Sequence, residues 1–274
     1  MELLELIKLS YLEDIPNKDI TTTNLNIEEK IGKAQLVAKE DFIFSGKEIF
    51  TECLKYMDSN IQLKWYFDDG DLVYKDQTIT ALQGDFIQLI QAERVALNFA
   101  SHLSGIATMA HCFVKEVEHT KCKILDTRKT TPLLRDLEKQ AVAHGGGTNH
   151  RRDLSDAIML KENHIRMAGG IVKAVNNIRR NSSQPIEVET TNLTEIKEAC
   201  ALDIQTIMLD NMDNQTMAQA IKIIPPHIET EASGNMSVDR VKSVAELGVN
   251  YISVGSMTHS APVADMSLLF NYKG

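Results

Sequence analysis

From Lys123 onward the chain alternates between short apolar runs of β type and amphipathic helical segments, with few residues to spare. The runs are KILD, AIMLK, IEVET, TIMLD, IETEAS and YISVGS, and between most of them lie segments such as MAGGIVKAVNNIRR, LTEIKEACALD and SVDRVKSVAELG. Strands linked in series through helices lie parallel, because each crossover helix carries the chain back to the end it started from. Six or seven such units in about 150 residues close best as a (β/α) barrel of parallel strands, with a doubly wound open sheet as the alternative. No G-x-G-x-x-G follows a strand, which removes the usual dinucleotide fingerprint.

Before this series the pattern differs. Up to about residue 85, the β-type runs in KAQLVAKEDFIFSG and LVYKDQTITALQGD surround one helical pattern, GKEIFTECLKYM. A long helical stretch, FIQLIQAERVALNFASHL, follows, and then another through ATMAHCFVKEVEH. There is no low-complexity segment and no strict repeat.

Barrels build their active sites at the C-terminal ends of their strands. Here each predicted strand ends in something chemically usable. KILD leads into Arg128 and Lys129, AIML ends at Lys161, IEVE at Glu189, and TIML at Asp210. IETEAS ends at Ser233 and Gly234, followed by Asn235, and YISV at Gly255 and Ser256, with His259 just beyond. Taken singly, each has a plainer explanation. A lysine after a buried strand can snorkel to water, Glu189 can pair structurally with an arginine, and Asp210 can cap the next helix. Six coincidences on one rim are harder to accept than one site. The two glycine-containing turns, SGN and VGSMTHS, have free backbone N–H groups before helical patterns, the makings of a phosphate cradle. The glycine triplet Gly145–Gly147 follows a helix, and both a loop and a ligand role are open to it.

The charge distribution supports a small polyanion as ligand. The chain carries −9 overall, which argues against nucleic acid as a partner. Lys123–Lys161 nevertheless holds eight Lys or Arg against five Asp or Glu, a net of +3, so the remainder carries −12. Arg135, Asp136, Glu138 and Lys139 read as a solvated helix face within that stretch. Arginines suit carboxylates, whereas Glu189 and Asp210 suit ribose hydroxyls or Mg²⁺. The residues alone thus describe an enzyme for a sugar phosphate and a carboxylated partner. Four scattered cysteines without C-x-x-C, no apolar run long enough for a bilayer, and an N-terminus lacking a basic n-region point to a cytoplasmic protein with no membrane attachment.

In order and spacing, EDIPNKDITT, AERVALNFASHLSGIAT, DTRKTTP, LEKQAVAHGGGTNHR, LSDAIMLKENH, IEVE, IMLDNM, EASGN and YISVGSMTHSAP resemble the quinolinate phosphoribosyltransferase family over nearly the whole chain. The resemblance implies transfer of phosphoribose from phosphoribosyl pyrophosphate to quinolinate with loss of CO₂, giving nicotinate mononucleotide, with Mg²⁺ as cofactor. It also implies an α/β fold: an N-terminal sandwich-like α/β domain, set here at residues 1–104, and an open (β/α) barrel over 105–274. The tail, from about 266 to 274, is expected to pack back on the first domain. Arg94, Arg128, His150, Arg151 and Lys161 match the family's quinolinate-binding positions, and Lys129 a residue near the pyrophosphate. Glu189 and Asp210 match positions near the ribose and metal, whether they touch the metal directly or through water. Ser233, Gly234 and Gly255 match the phosphate loop, to which the adjacent Asn235, Ser256 and His259 are added. Lys129, Lys161, Glu189 and Asp210 are the expected catalytic set. The resemblance further implies a homodimer or higher assembly in which Arg94 reaches the neighbouring site. The chain departs from the family at Leu133, where glycine is frequent, at Lys18, where Gly-Asp often stands in place of Lys18-Asp19, and at Asn235, where SGG is equally familiar. Two rivals, a related barrel transferase associated with molybdenum transport and a catalytically silent metabolite binder, fit less well. The first tends to lose the NHR and LKENH blocks and the second would lose Lys129, Glu189 or Asp210.

Overall fold

The structure, a computed structural model, describes residues 2–25 and 31–271. Its strands are β1 (Ile31–Ala38), β2 (Phe42–Ile43), β3 (Gln62–Trp65), β4 (Leu72–Val73), β5 (Thr78–Asp85), β6 (Lys123–Leu125), β7 (Ile158–Leu160), β8 (Ile186–Thr190), β9 (Thr206–Asp210), β10 (Glu229–Ser233), β11 (Tyr251–Ser253) and β12 (Met266–Phe270). They belong to two compact units.

The first unit comprises the described residues of Met1–His111, Thr131–Gly146 and Ser260–Gly274. Its antiparallel sheet has the order β12-β1-β5-β3, so the tail strand β12 forms an edge beside β1, with Leu36 opposite Leu268. Residues 272–274 of that tail lie outside the described residues. The helix Lys47–Met57 buries Ile49, Phe50, Cys53 and Leu54, the spacing of one helical face. The two helices expected after residue 85 are one, Phe86–Val117, of 32 residues. Gly105 does not interrupt it; a Cβ there would fall 1.9 Å from the Pro262 carbonyl oxygen, so glycine is required for close approach of backbone. Glu138 and Lys139, expected in solvent, are buried in the helix Arg135–His144. Glu138 accepts hydrogen bonds from His102 Nε2 (2.8 Å) and from the Thr131 backbone N–H (3.1 Å), which is how its carboxylate is accommodated.

The second unit, Cys112–Thr130 with Gly147–His259, holds the parallel sheet in the order β6-β11-β10-β9-β8-β7. Strands β7 to β11 are neighbours in chain order, and β6 follows β11. The winding never reverses, as it would at the switch point of a doubly wound sheet, and this is the order of an open (β/α) barrel. Between β6 and β7 there is no strand pairing among the described residues, and Thr148 makes a single bridge to Leu125. The outer residues of the strands, such as Ile186, Val188, Ile207 and Leu209, are fully buried. Most of the following helices bury one stripe, for example Ile171, Ala174 and Val175, or Val241, Val244 and Ala245. Gly169 and Gly170, at φ +80° and +120°, divide the segment after β7 into two helices, Glu162–Ala168 and Ile171–Arg179, where one pattern had been read.

Candidate active site

A strand turns successive side chains to opposite faces, so a strand that buries its outer residues must present the others inward. This period puts Met159 and Lys161, Glu187 and Glu189, Met208 and Asp210, Glu231 and Ser233, and Ser253 and Gly255 on the inner side of five strands in turn. Above them opens a cleft of about 690 Å³. Arg128 and Lys129 from the end of β6, His150 and Arg151 before β7, and Lys161, Glu189, Asp210, Ser233, Gly234, Asn235, Gly255, Ser256 and His259 after or at the ends of the other strands all line it. Thirteen of the fourteen residues singled out from the sequence therefore share one space. Arg94 is the exception. It is exposed on the helix Phe86–Val117 and lines a separate cleft of the first unit with Glu13, Asp14, Asn98 and His102.

Asp213, and not Asp210, caps the helix Asn214–Ile223, accepting from the Thr216 N–H. Asp210 faces the cleft and accepts from Asn211 Nδ2 at 2.7 Å. Glu189 forms no ion pair with an arginine among the described residues; it accepts only a long bond, 3.4 Å, from the Glu162 N–H. Burial, and then the negative charge of Asp210, push its pKa up, while the Glu162 N–H and Lys161 oppose the rise. Two carboxylates that repel each other at adjacent strand ends form an oxygen donor set for a hard cation, which would relieve that repulsion. Glu189 and Asp210 therefore fit Mg²⁺.

The opposite wall is cationic. Burial and the neighbouring Arg128 both lower the pKa of Arg151. Its guanidinium is held by the Ala157 carbonyl (2.9 Å) and lies against Met159 Sδ (3.6 Å). Burial disfavours charge on His150, but the hydrogen bonds and charges of Glu187 and Glu231 outweigh it and raise its pKa to about 10.

The glycine turns are shaped for close approach. Gly234 has φ +91°, and a Cβ there would fall 2.2 Å from Asn211 Oδ1. Asn211 and Asn235 themselves adopt φ +53° and +52°, which asparagine tolerates better than most residues. At Gly255 a Cβ would be 3.0 Å from Lys129 Cδ, so the bare backbone lets the lysine lie across this turn. Thr258 Oγ1 donates to the Lys129 carbonyl at 2.7 Å and ties the two loops together. The triplet glycines do not line the cleft. Gly145 instead packs on the Ala107 carbonyl, 2.2 Å from where a Cβ would lie.

Both halves of the chain have counterparts among known protein families. Residues 19–104 match the model of the quinolinate phosphoribosyl transferase N-terminal domain, and residues 106–269 match that of the C-terminal domain. The chain belongs to the quinolinate phosphoribosyl transferase family. A family member from Bacillus subtilis, "Probable nicotinate-nucleotide pyrophosphorylase (carboxylating)", is 40% identical over 270 residues, covering 98% of this chain and 93% of its own. Among solved structures, the nicotinate-nucleotide pyrophosphorylase of Francisella tularensis superposes with a TM-score of 0.94 at 38% identity, covering 98% and 96% of the two chains. That of Ehrlichia chaffeensis gives 0.95 at 33% identity, covering 99% of each.

Several residues that line or support this cleft were not picked out from the sequence. Arg240 donates to the carbonyls of Gly234 (3.1 Å), Asn235 (3.2 Å) and Met212 (2.7 Å), bracing the turn from behind. Asp126, fully buried, accepts from the His150 N–H at 2.8 Å and so joins DTRKT to NHR. Glu187 and Glu231 lie one inward step below the rim. Counting back two residues from Glu189 and Ser233 is the signal that would have found them.

Proposed function

We propose that this chain catalyses transfer of phosphoribose from phosphoribosyl pyrophosphate to quinolinate with decarboxylation, releasing pyrophosphate and CO₂ and giving nicotinate mononucleotide for de novo NAD biosynthesis. The observation that carries this reading is the union, in one cleft, of the cationic side chains Arg128, Arg151 and Lys161 with the carboxylates Glu189 and Asp210 and the two backbone turns, in a member of this family. Arg128, Arg151 and Lys161, with His150 beside them, receive the pyridine dicarboxylate, since guanidinium groups pair with carboxylates through two N–H groups. The turns Ser233–Asn235 and Gly255–Ser256, with His259, hold the 5-phosphate, and Lys129 holds the pyrophosphate. Glu189 and Asp210 would hold Mg²⁺, which when bound neutralises charge on the pyrophosphate.

In this arrangement the pyridine nitrogen forms a bond to the anomeric carbon while the bond from that carbon to pyrophosphate oxygen breaks. Positive charge develops on the ribose, and Glu189 and Asp210 face it across the cleft as fixed negative groups. The product nitrogen is cationic. Its positive charge stabilises the electron pair that stays on the neighbouring ring carbon when the 2-carboxylate leaves as CO₂, and a proton then bonds to that pair. No further organic cofactor is needed to stabilise that pair.

The wall formed by Arg128, Arg151 and Lys161 belongs to one chain. Arg94, exposed in a different cleft, is best used in a homodimer, where Arg94 of the partner subunit completes each site. All four cysteines are free thiols, which suits the reducing cytoplasm. No helix among the described residues is long and apolar enough to cross a membrane.

The test is formation of nicotinate mononucleotide and CO₂ from quinolinate, phosphoribosyl pyrophosphate and Mg²⁺, with nicotinate as comparator. Nicotinate leaves one cationic partner without its carboxylate and should react at least about a hundredfold less efficiently. Equal turnover of the two acids would overturn the assignment.

A further inference from the structure

Two inward carboxylates, Glu231 buried and Glu187 mostly so, have no part in the reaction as described. Glu187 on β8 and Glu231 on β10 point inward below Glu189 and Ser233, and both reach the same atom. His150 Nε2 lies 3.2 Å from Glu187 Oε2 and 3.2 Å from Glu231 Oε2. Glu231 is 1% exposed. The second oxygen of each carboxylate is buried without a hydrogen-bond partner among the described residues. Placing two carboxylates within 4.8 Å of each other and of the ring, mostly shielded from water, is costly unless the arrangement serves the site.

The other edge of the ring is also occupied. Nδ1 lies 2.6 Å from the Arg151 backbone nitrogen, whose N–H donates to it, and the His150 N–H is taken by Asp126. The carboxylates favour a second ring proton, which would have to sit on Nδ1, and the Arg151 N–H opposes it. A proton on Nε2, facing the glutamates, is common to both states. The ring is thus clamped from two sides and its next residue is Arg151, whose own backbone N–H forms one of the clamps. Both ring nitrogens being engaged by the chain itself, His150 meets a ligand as a fixed wall and not as a free donor.

We propose that Glu187 and Glu231 are positioning residues that clamp the His150 ring and, through it, set Arg151 in the geometry that receives the pyridine dicarboxylate. The inference rests on the reading of this wall as the quinolinate subsite. The same two carboxylates close the floor electrostatically, so that a substrate carboxylate stops at the level of His150 and Arg151 and sinks no deeper.

The test uses the full-length enzyme, with Glu231→Gln and Glu187→Gln made singly and Arg151→Ala as reference. Each glutamine variant should raise the KM for quinolinate about tenfold, the scale of one charge-assisted hydrogen bond, and leave the KM for phosphoribosyl pyrophosphate within about twofold. Imidazole ¹⁵N spectra of the wild-type enzyme should show a proton on Nε2 of His150, and in each variant that signal should shift or broaden. If Arg151→Ala weakens quinolinate while both glutamine variants keep wild-type KM values and an unchanged His150 signal, the clamp is refuted and the subsite reading stands. If Arg151→Ala leaves the quinolinate KM unchanged, the subsite reading falls and the clamp with it. Should the glutamine variants fail to fold, the wild-type spectrum still decides: a neutral His150 protonated on Nδ1 would refute the clamp.

Discussion

Replacing Gly234 by alanine strikes the turn at the end of β10, and its cost can be worked out atom by atom. The residue has φ +91°, where an L side chain is strained by about 1–2 kcal/mol. The new Cβ would lie 2.2 Å from Oδ1 and 2.6 Å from Cγ of Asn211, and 3.0 Å from its backbone nitrogen. The Asn211 side chain can rotate away, but it then loses the bond from Nδ2 to Asp210 Oδ2 at 2.7 Å, worth about 1.5–3 kcal/mol because the acceptor is charged. The backbone nitrogen cannot follow, since its N–H donates to the Ser233 carbonyl at 2.9 Å. The two contributions together come to about 2.5–5 kcal/mol. β10 is paired on both sides by β9 and β11, so the turn moves and the strand stays. We expect the KM for phosphoribosyl pyrophosphate to rise about ten- to a hundredfold, with the quinolinate KM changed less than about threefold. The melting temperature should fall by roughly 5–15 °C. Steady-state kinetics with each substrate varied in turn, and a thermal melt, measure both. Adding Asn211→Ala removes the obstructing side chain, so the double variant should be less impaired than the sum of the singles. A Gly234→Ala enzyme with wild-type KM for phosphoribosyl pyrophosphate and an unshifted melt would refute this account of the turn.

Lys161→Ala and Glu189→Ala should each lower kcat/KM at least about a hundredfold while the melt stays within roughly 2 °C, because both side chains stand on the rim and outside the core; wild-type kinetics in either variant would remove that residue from the mechanism. Leu133 is 70% exposed at φ +70°, so Leu133→Gly should stabilise the protein by about 0.5 kcal/mol, the relief of left-handed strain less the entropy glycine gains on unfolding. A chemical denaturation midpoint that falls would contradict this. If the protein is the proposed homodimer with shared sites, Arg94→Ala and Lys161→Ala enzymes should each be nearly inactive, and refolding them together should restore about a quarter of wild-type activity, since half the dimers are then mixed and each has one intact site. Mixed dimers confirmed by native mass spectrometry but without recovered activity would confine Arg94 to a role in its own chain.

The period of the sequence was enough to find all six strands of the parallel sheet, and the residue after each last apolar position was enough to find the rim. Alternation of inward and outward side chains is a property of the strand itself, so Lys161, Glu189, Asp210 and Ser233 were legible before any partner was known. The surplus of cations between Lys123 and Lys161 was legible for a similar reason, since charge is local and needs no fold to be counted. What the sequence left undecided depends on which face meets which across long stretches of chain. Gly105 reads as a weak point in a helix until the Pro262 carbonyl is found against it. Glu138 and Lys139 carry the charges of a solvated face, yet tertiary packing buries them, and His102 and the Thr131 N–H satisfy the glutamate. Helical spacing on the strip that bears Arg94 shows a surface residue but not the cleft it borders. Glu187 and Glu231 look like two more inward carboxylates, and only the curvature of the sheet brings both to one nitrogen of His150. Periodicity fixes the direction in which a side chain leaves the backbone; the partner it meets there is set by sheet order and loop path, which arise when the whole chain packs.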